Sequence, residues 1–199
     1  TEENQNKLEN SDFKYISFGS SENPFKGTFD GQGYYISNLK YESNLSAISD
    51  TGLFSHTATG AVIKNLTIIN ADIQADYRGG IIAGNAEGTT FENISVKDSI
   101  LSVNNVITLV TDGGLRGGAI VGDASNCILY NCESVRTTVN TNNTAGVAAL
   151  FGKGLYLGGL IGTANSTEVE YSRVIDGLVK ENKAIAILVS DLKQKNRIN

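Results

Sequence analysis

Short apolar runs alternate with polar residues along most of this chain and are broken by Gly, Asn, Asp and Thr. The clearest are Val62-Ile63-Lys64-Asn65-Leu66-Thr67-Ile68 and Thr90-Phe91-Glu92-Asn93-Ile94-Ser95-Val96, whose alternation predicts strands with one buried side. No helical period of useful length precedes the C-terminal tail, so the pattern predicts an all-β protein.

The runs also repeat. Gly52-Leu-Phe-Ser-His56, Gly80-Ile-Ile-Ala-Gly84, Gly118-Ala-Ile-Val-Gly122 and the shorter Gly159-Leu-Ile-Gly162 each precede such a run. An Asn lies nine residues after His56, Gly84 and Gly122, and Tyr171 lies nine after Gly162. A half-unit, Phe29-Asp30-Gly31-Gln32-Gly33 followed by Ile36-Ser37-Asn38-Leu39, precedes them. Asn38, Asn65, Asn93 and Asn131 then read as one column, spaced by 27, 28 and 38 residues.

A unit of about 28 residues made of short strands cannot bury its own apolar side, whereas stacked units share one core. The pattern therefore predicts a single parallel β-helix of roughly five coils, each strand pairing with its counterpart ~4.8 Å away. Ile36, Ile63, Phe91, Leu129 and Val169 would form one inward column, and Leu39, Leu66, Ile94 and Cys132 another. Asn38, Asn65, Asn93 and Asn131 would stack their amides into a ladder that fixes register. The Gly pairs suit corners that need positive φ or close backbone approach. Residues 13–179 form the repeats, 1–12 a polar arm or cap, and 180–199 a final strand or cap with a charged tail.

The segments FKGTFDGQGYYISNL (25–39) and GLFSHTATGAVIKNLTI (52–68), with GGIIAG, GGAIVG and GGLIG, resemble the GLUG-type repeats of bacterial surface and secreted proteins. The resemblance covers roughly residues 24–179. It implies a right-handed parallel β-helix of the pectin-lyase type. It also implies a surface-exposed, mostly non-catalytic role, since such repeats occur in adhesin-like proteins and beside the metallopeptidase part of immunoglobulin-A-cleaving enzymes. The repeat motif brings no catalytic residues with it. This chain departs from it in His56, which takes the place of the second glycine, and in two long insertions.

Composition narrows the function. Sixteen basic and 21 acidic residues give a net charge of -5, which argues against a nucleic-acid partner. The longest apolar run, around Ala184 to Val189, is too short to span a bilayer, so no direct membrane insertion is expected. One His and two Cys exclude most zinc sites and a disulfide framework. Cys127 and Cys132 read as small hydrophobes, and their five-residue spacing places them on opposite faces of a regular strand. The acids Asp30, Asp50, Asp72, Asp98, Asp112, Asp123 and Asp176 fall in no single column, and no cofactor, metal or catalytic residue is assigned.

Two features carry candidate binding. The insertions contain Val106 and Leu109 in one and Leu150 and Phe151 in the other, with Tyr156 following. Both precede a Gly pair and should emerge from the same edge, where solenoids build binding surfaces. A column of Asp50, Arg78 and Arg116 pairs an acid with an arginine. It then sets two guanidinium groups ~5 Å apart, which requires an intervening water, carboxylate or bound anion. The resulting expectation is a non-catalytic scaffold or adhesion module, extracellular or on a bacterial cell surface, contacting a host surface protein or glycan. The alternative is a polysaccharide-acting β-helix enzyme or the accessory region of a larger secreted hydrolase or peptidase.

Overall fold

The structure, a computed structural model, describes residues 17–42, 49–104, 114–141 and 155–180. Every regular element among the described residues is a β-strand. The chain visits four faces in turn. Face I holds Phe54–Thr57, Ala83–Glu87, Val121–Ser125 and Ile161–Asn165. Face II holds the long strands Val62–Ile69 and Thr90–Lys97, with the split pairs Thr28–Asp30/Tyr35–Ser37, Ile128–Tyr130/Glu133–Val135 and Glu168–Glu170/Arg173–Ile175. Face III holds Lys40–Tyr41, Asp72–Ala75, Ile100–Val103, Thr138–Asn140 and Leu178–Lys180. Face IV holds Asp50–Thr51, Arg78–Gly80, Leu115–Gly118 and Leu155–Gly158. Each strand pairs in parallel with its equivalent in the next tier, so the fold is a parallel β-helix.

The stack buries one continuous core. Phe29, Ile63, Phe91, Leu129 and Val169 form an in-register column. Ile63, Phe91 and Leu129 within it are fully buried, each contributing about 1.5–3 kcal/mol by removal from water. Ile36 does not belong to this column. It pairs with Ile68, itself opposite Val96. Leu39 likewise sits beside Ala71 and not Leu66, because Lys40 pairs with Asp72. The cause is that an apolar-x-Asn-apolar motif precedes two different corners, one at Asn65 and one at Asn70, and pairing sets Ile36 before the second; the first column is reached by Phe29.

Three corners use left-handed backbone. Asn65, Asn93, Asn131 and Tyr171 have φ of 53, 54, 51 and 51°. Asn38, Asn70, Asp98, Arg136 and Asp176 occupy a second corner, and Gly60, Gly88, Asn126 and Ser166 a third. Asn tolerates this region because its short amide bonds locally. The next residue turns inward, and where it carries a hydroxyl or thiol it donates to the carbonyl two positions back. Ser99 Oγ to Lys97 O (2.6 Å), Thr137 Oγ1 to Val135 O (3.2 Å) and Cys127 Sγ to Ser125 O (3.2 Å) are examples. Cys127 and Cys132 follow Asn126 and Asn131 in this way, so both are inward, buried and free. The left-handed residue between them breaks the two-residue alternation that would have set them on opposite faces.

The turn between faces IV and I is different. A Cβ on Gly118 would press on Val121 O and lie 2.6 Å from Gly162 N and from Leu160 O. These glycines answer a close backbone approach, not a positive φ. At the N-terminal end, Phe54 packs against Phe18, Phe25 and Phe29, with ring centroids 5.4, 4.9 and 5.5 Å away.

Candidate functional site

Chemistry concentrates at the seam where faces IV and I meet. Parallel register stacks Asp50, Arg78, Arg116 and Tyr156 on the face IV side. It stacks His56, Asn85, Asp123 and Thr163 on the face I side. His56 thus stands opposite Asn85. The residue taking the place of Gly84 is Ser55, because the first tier is one residue shorter between Gly52 and Phe54.

The two columns interlock. Asp50, its side chain only 3% exposed, accepts Arg78 Nε at 2.6 Å and Nη2 at 2.7 Å, a bidentate pair. The same carboxylate meets His56 Nε2 at 2.7 Å. Burial alone would draw the Arg78 pKa down, but the bonds and charge of Asp50, with Asp123 and Tyr77, outweigh it and hold the pKa above the ordinary arginine value. Arg78 and Arg116 are register neighbours, and unit charges ~5 Å apart repel by roughly 3 kcal/mol at an effective dielectric of ~20. Asp123 Oδ2 answers this by lying 3.1 Å from Arg116 Nη1 and 3.5 Å from Arg78 Nη1. Its Oδ1 accepts the Thr163 hydroxyl at 2.5 Å. Buried Tyr77 lies under both guanidinium groups, with ring-centroid distances of 5.1 and 5.8 Å.

The arginines are therefore unequal. Arg78 has a carboxylate on its fork and a share of a second. Arg116 has one contact to Asp123 and a 3.4 Å contact from Nη1 to Tyr77 Oη, while its buried Nε has no partner among the described residues. His56 Nδ1 is likewise buried without a partner among the described residues. Sequence reasoning found the Asp50–Arg78–Arg116 column and missed His56 and Asp123 as its counter-wall. The available signal was the residue after the last glycine of each segment, Asn85, Asp123 and Thr163.

The other expected positions divide. Tyr156 lies in the seam, opposite Arg116. Val106, Leu109, Leu150 and Phe151 lie outside the described residues. In the corner ladder, Asn93 Nδ2 donates to Asn65 Oδ1 (2.9 Å) and Asn131 Nδ2 to Asn93 Oδ1 (2.7 Å). Asn65 Nδ2 donates to Asp30 Oδ1 (3.0 Å), and this bond, then the Gln32 backbone N–H, lowers the Asp30 pKa. Asn38 is not in that ladder. Its Oδ1 accepts Asn70 Nδ2 at 2.6 Å in the next corner, in line with the pairing of Ile36 with Ile68. Among the described residues, no three or more His, Cys, Asp or Glu side chains are grouped so as to hold a metal ion.

No family model matches the chain. Over 109 residues it is 32% identical to halomucin of Haloquadratum walsbyi, a stretch that makes up 55% of this chain and 1% of that protein. A crystal structure of a candidate immunoglobulin A1 protease from Bacteroides ovatus aligns over 92% of this chain and 69% of its own, with 13% identity and a TM-score of 0.34. A likeness that remote bears on neither mechanism nor substrate.

Proposed function

We propose that this chain is a non-catalytic scaffold and contact module of a secreted or cell-surface protein, holding a host protein or glycan against one edge of a stiff β-helix. The observation that carries this reading is where the chain departs from its own repeat. Residues 105–113 and 142–154 each lie between the end of face III and the start of face IV in successive tiers. Parallel stacking makes those departure points neighbours, beside the seam of Arg116 and Tyr156. Additions that recur at one place on a regular stack are how solenoids build a contact edge without disturbing the core.

The matched stretch of halomucin supports an extracellular setting, because a mucin is a protein that works outside the cell. The long axial stack supports a spacer role, since each tier is held by the main-chain pairing of its neighbours.

Two measurements test this. Brief protease treatment of intact source cells should release fragments of the chain, and recovery from the soluble cell interior alone overturns the surface assignment. On a glycan and host-protein array, the full chain should bind, and loss of residues 105–113 and 142–154 should abolish that binding. Equal binding by the shortened chain overturns the contact edge.

A further inference from the structure

We infer that the seam is a binding site for a carboxylated sugar, with Arg116 as the residue that grips the carboxylate. This rests on the glycan arm of the reading above and goes beyond it by naming the sugar class and the gripping group.

Arg78 and Arg116 occupy the same place in successive tiers, each followed by two glycines. In the earlier tier the Nε–Nη2 edge of the guanidinium is filled by Asp50, at 2.6 and 2.7 Å. In the later tier the neighbour on that side is Arg78 itself, so no carboxylate of the described residues stands there. Arg116 Nε is left as a buried donor with no acceptor among the described residues, which destabilises the free protein. Among the described residues, the only carboxylate contact made by Arg116 is through Nη1 to Asp123, which is shared with Arg78 and also holds Thr163. The seam thus has two guanidinium groups and two carboxylates, with the fork of one arginine unfilled. A planar carboxylate that met Nε and Nη2 after a small turn of the Arg116 side chain would reproduce the Asp50–Arg78 pair.

The surroundings favour a sugar over an acidic peptide. Tyr156 is the register neighbour of Arg116 in the next tier, and the Asp123 carboxylate on Arg116 Nη1 carries the Thr163 hydroxyl; phenol, hydroxyl and carboxylate are groups that pair with ring hydroxyls. An acidic peptide is the poorer fit because its own amides would find few backbone partners here, the strand N–H and C=O groups being engaged between tiers.

The test uses the full chain and isothermal titration with a glucuronate-containing tetrasaccharide, the same tetrasaccharide with its carboxyl groups reduced to alcohols, and a glutamate tetrapeptide. The acid form should bind at least tenfold more tightly than the reduced form, and Arg116→Gln should remove that preference. Arg116→Lys should recover only part of it, because an ammonium cannot pair bidentately. Equal affinity for acid and reduced forms, no binding of either, or tighter binding of the peptide overturns the inference. The comparison of acid with reduced sugar on the unaltered protein does so even if a variant does not fold. None of these results touches surface release by protease, so the two readings fail separately.

Discussion

Asn93 tests the corner and the ladder together. Its φ is 54°, and its side chain both donates to Asn65 and accepts from Asn131. Asn93→Ala removes two exposed side-chain hydrogen bonds, each worth about 0.5 kcal/mol at the low end of the usual range. It also places a Cβ without local hydrogen bonding in the left-handed region, at about 1–2 kcal/mol. The sum is about 2–3 kcal/mol, which lowers the melting temperature by roughly 5–10 °C for a domain of this size. Asn93→Gly loses the same two bonds but is at ease in the left-handed region, so about 1.5–2 kcal/mol is expected once its greater unfolded-state entropy is included. Scanning calorimetry of the two variants against the unaltered chain separates the terms. If alanine is as stable as glycine here, the backbone argument is wrong. If both lie within about 0.5 kcal/mol of the unaltered protein, the amide ladder contributes nothing and register is held by the core alone.

Gly118→Ala should be far more damaging than its size suggests, because the atoms its methyl would meet, at Val121, Leu160 and Gly162, are all backbone. A loss above about 3 kcal/mol, or failure to accumulate folded protein, is expected; a variant melting within a few degrees of the unaltered chain refutes the close approach. Burial pushes the Cys132 thiol up to about 11 from an ordinary value of 9.0. The folded state therefore holds its proton between those values while the unfolded state loses it, and stability falls as pH rises through that window, by up to about 3 kcal/mol. Denaturant titrations between pH 8 and 11 should show that decline, and Cys132→Ala should reduce it. Native protein at pH 8 should resist iodoacetamide at Cys132, and rapid alkylation without unfolding contradicts the burial.

How much of this could be read from the text depends on what a repeat records. Self-similarity reports which side chains share a position in successive tiers, so the Ile63, Phe91, Leu129 column and the Asn65, Asn93, Asn131 ladder were legible from spacing alone. It failed at Asn38 because two corners flank the same strand and both favour left-handed Asn. An Ile-x-Asn-Leu motif fits either corner, and only pairing decides between them. It failed again at the seam, because His56 and Asp123 come from a different column than Asp50 and Arg78. Spacing says nothing about the angle at which two faces meet, and it is the glycine turn that brings those columns into contact. The same limit explains why Arg78 and Arg116 look equivalent in sequence and are not in the fold. Each precedes a Gly pair, yet one stacks on Asp50 and the other on an arginine. In a stacked chain the chemistry of a side chain is set by the residue one tier away, so the unfilled fork of Arg116 follows from Arg78 standing where Asp50 stands one tier earlier.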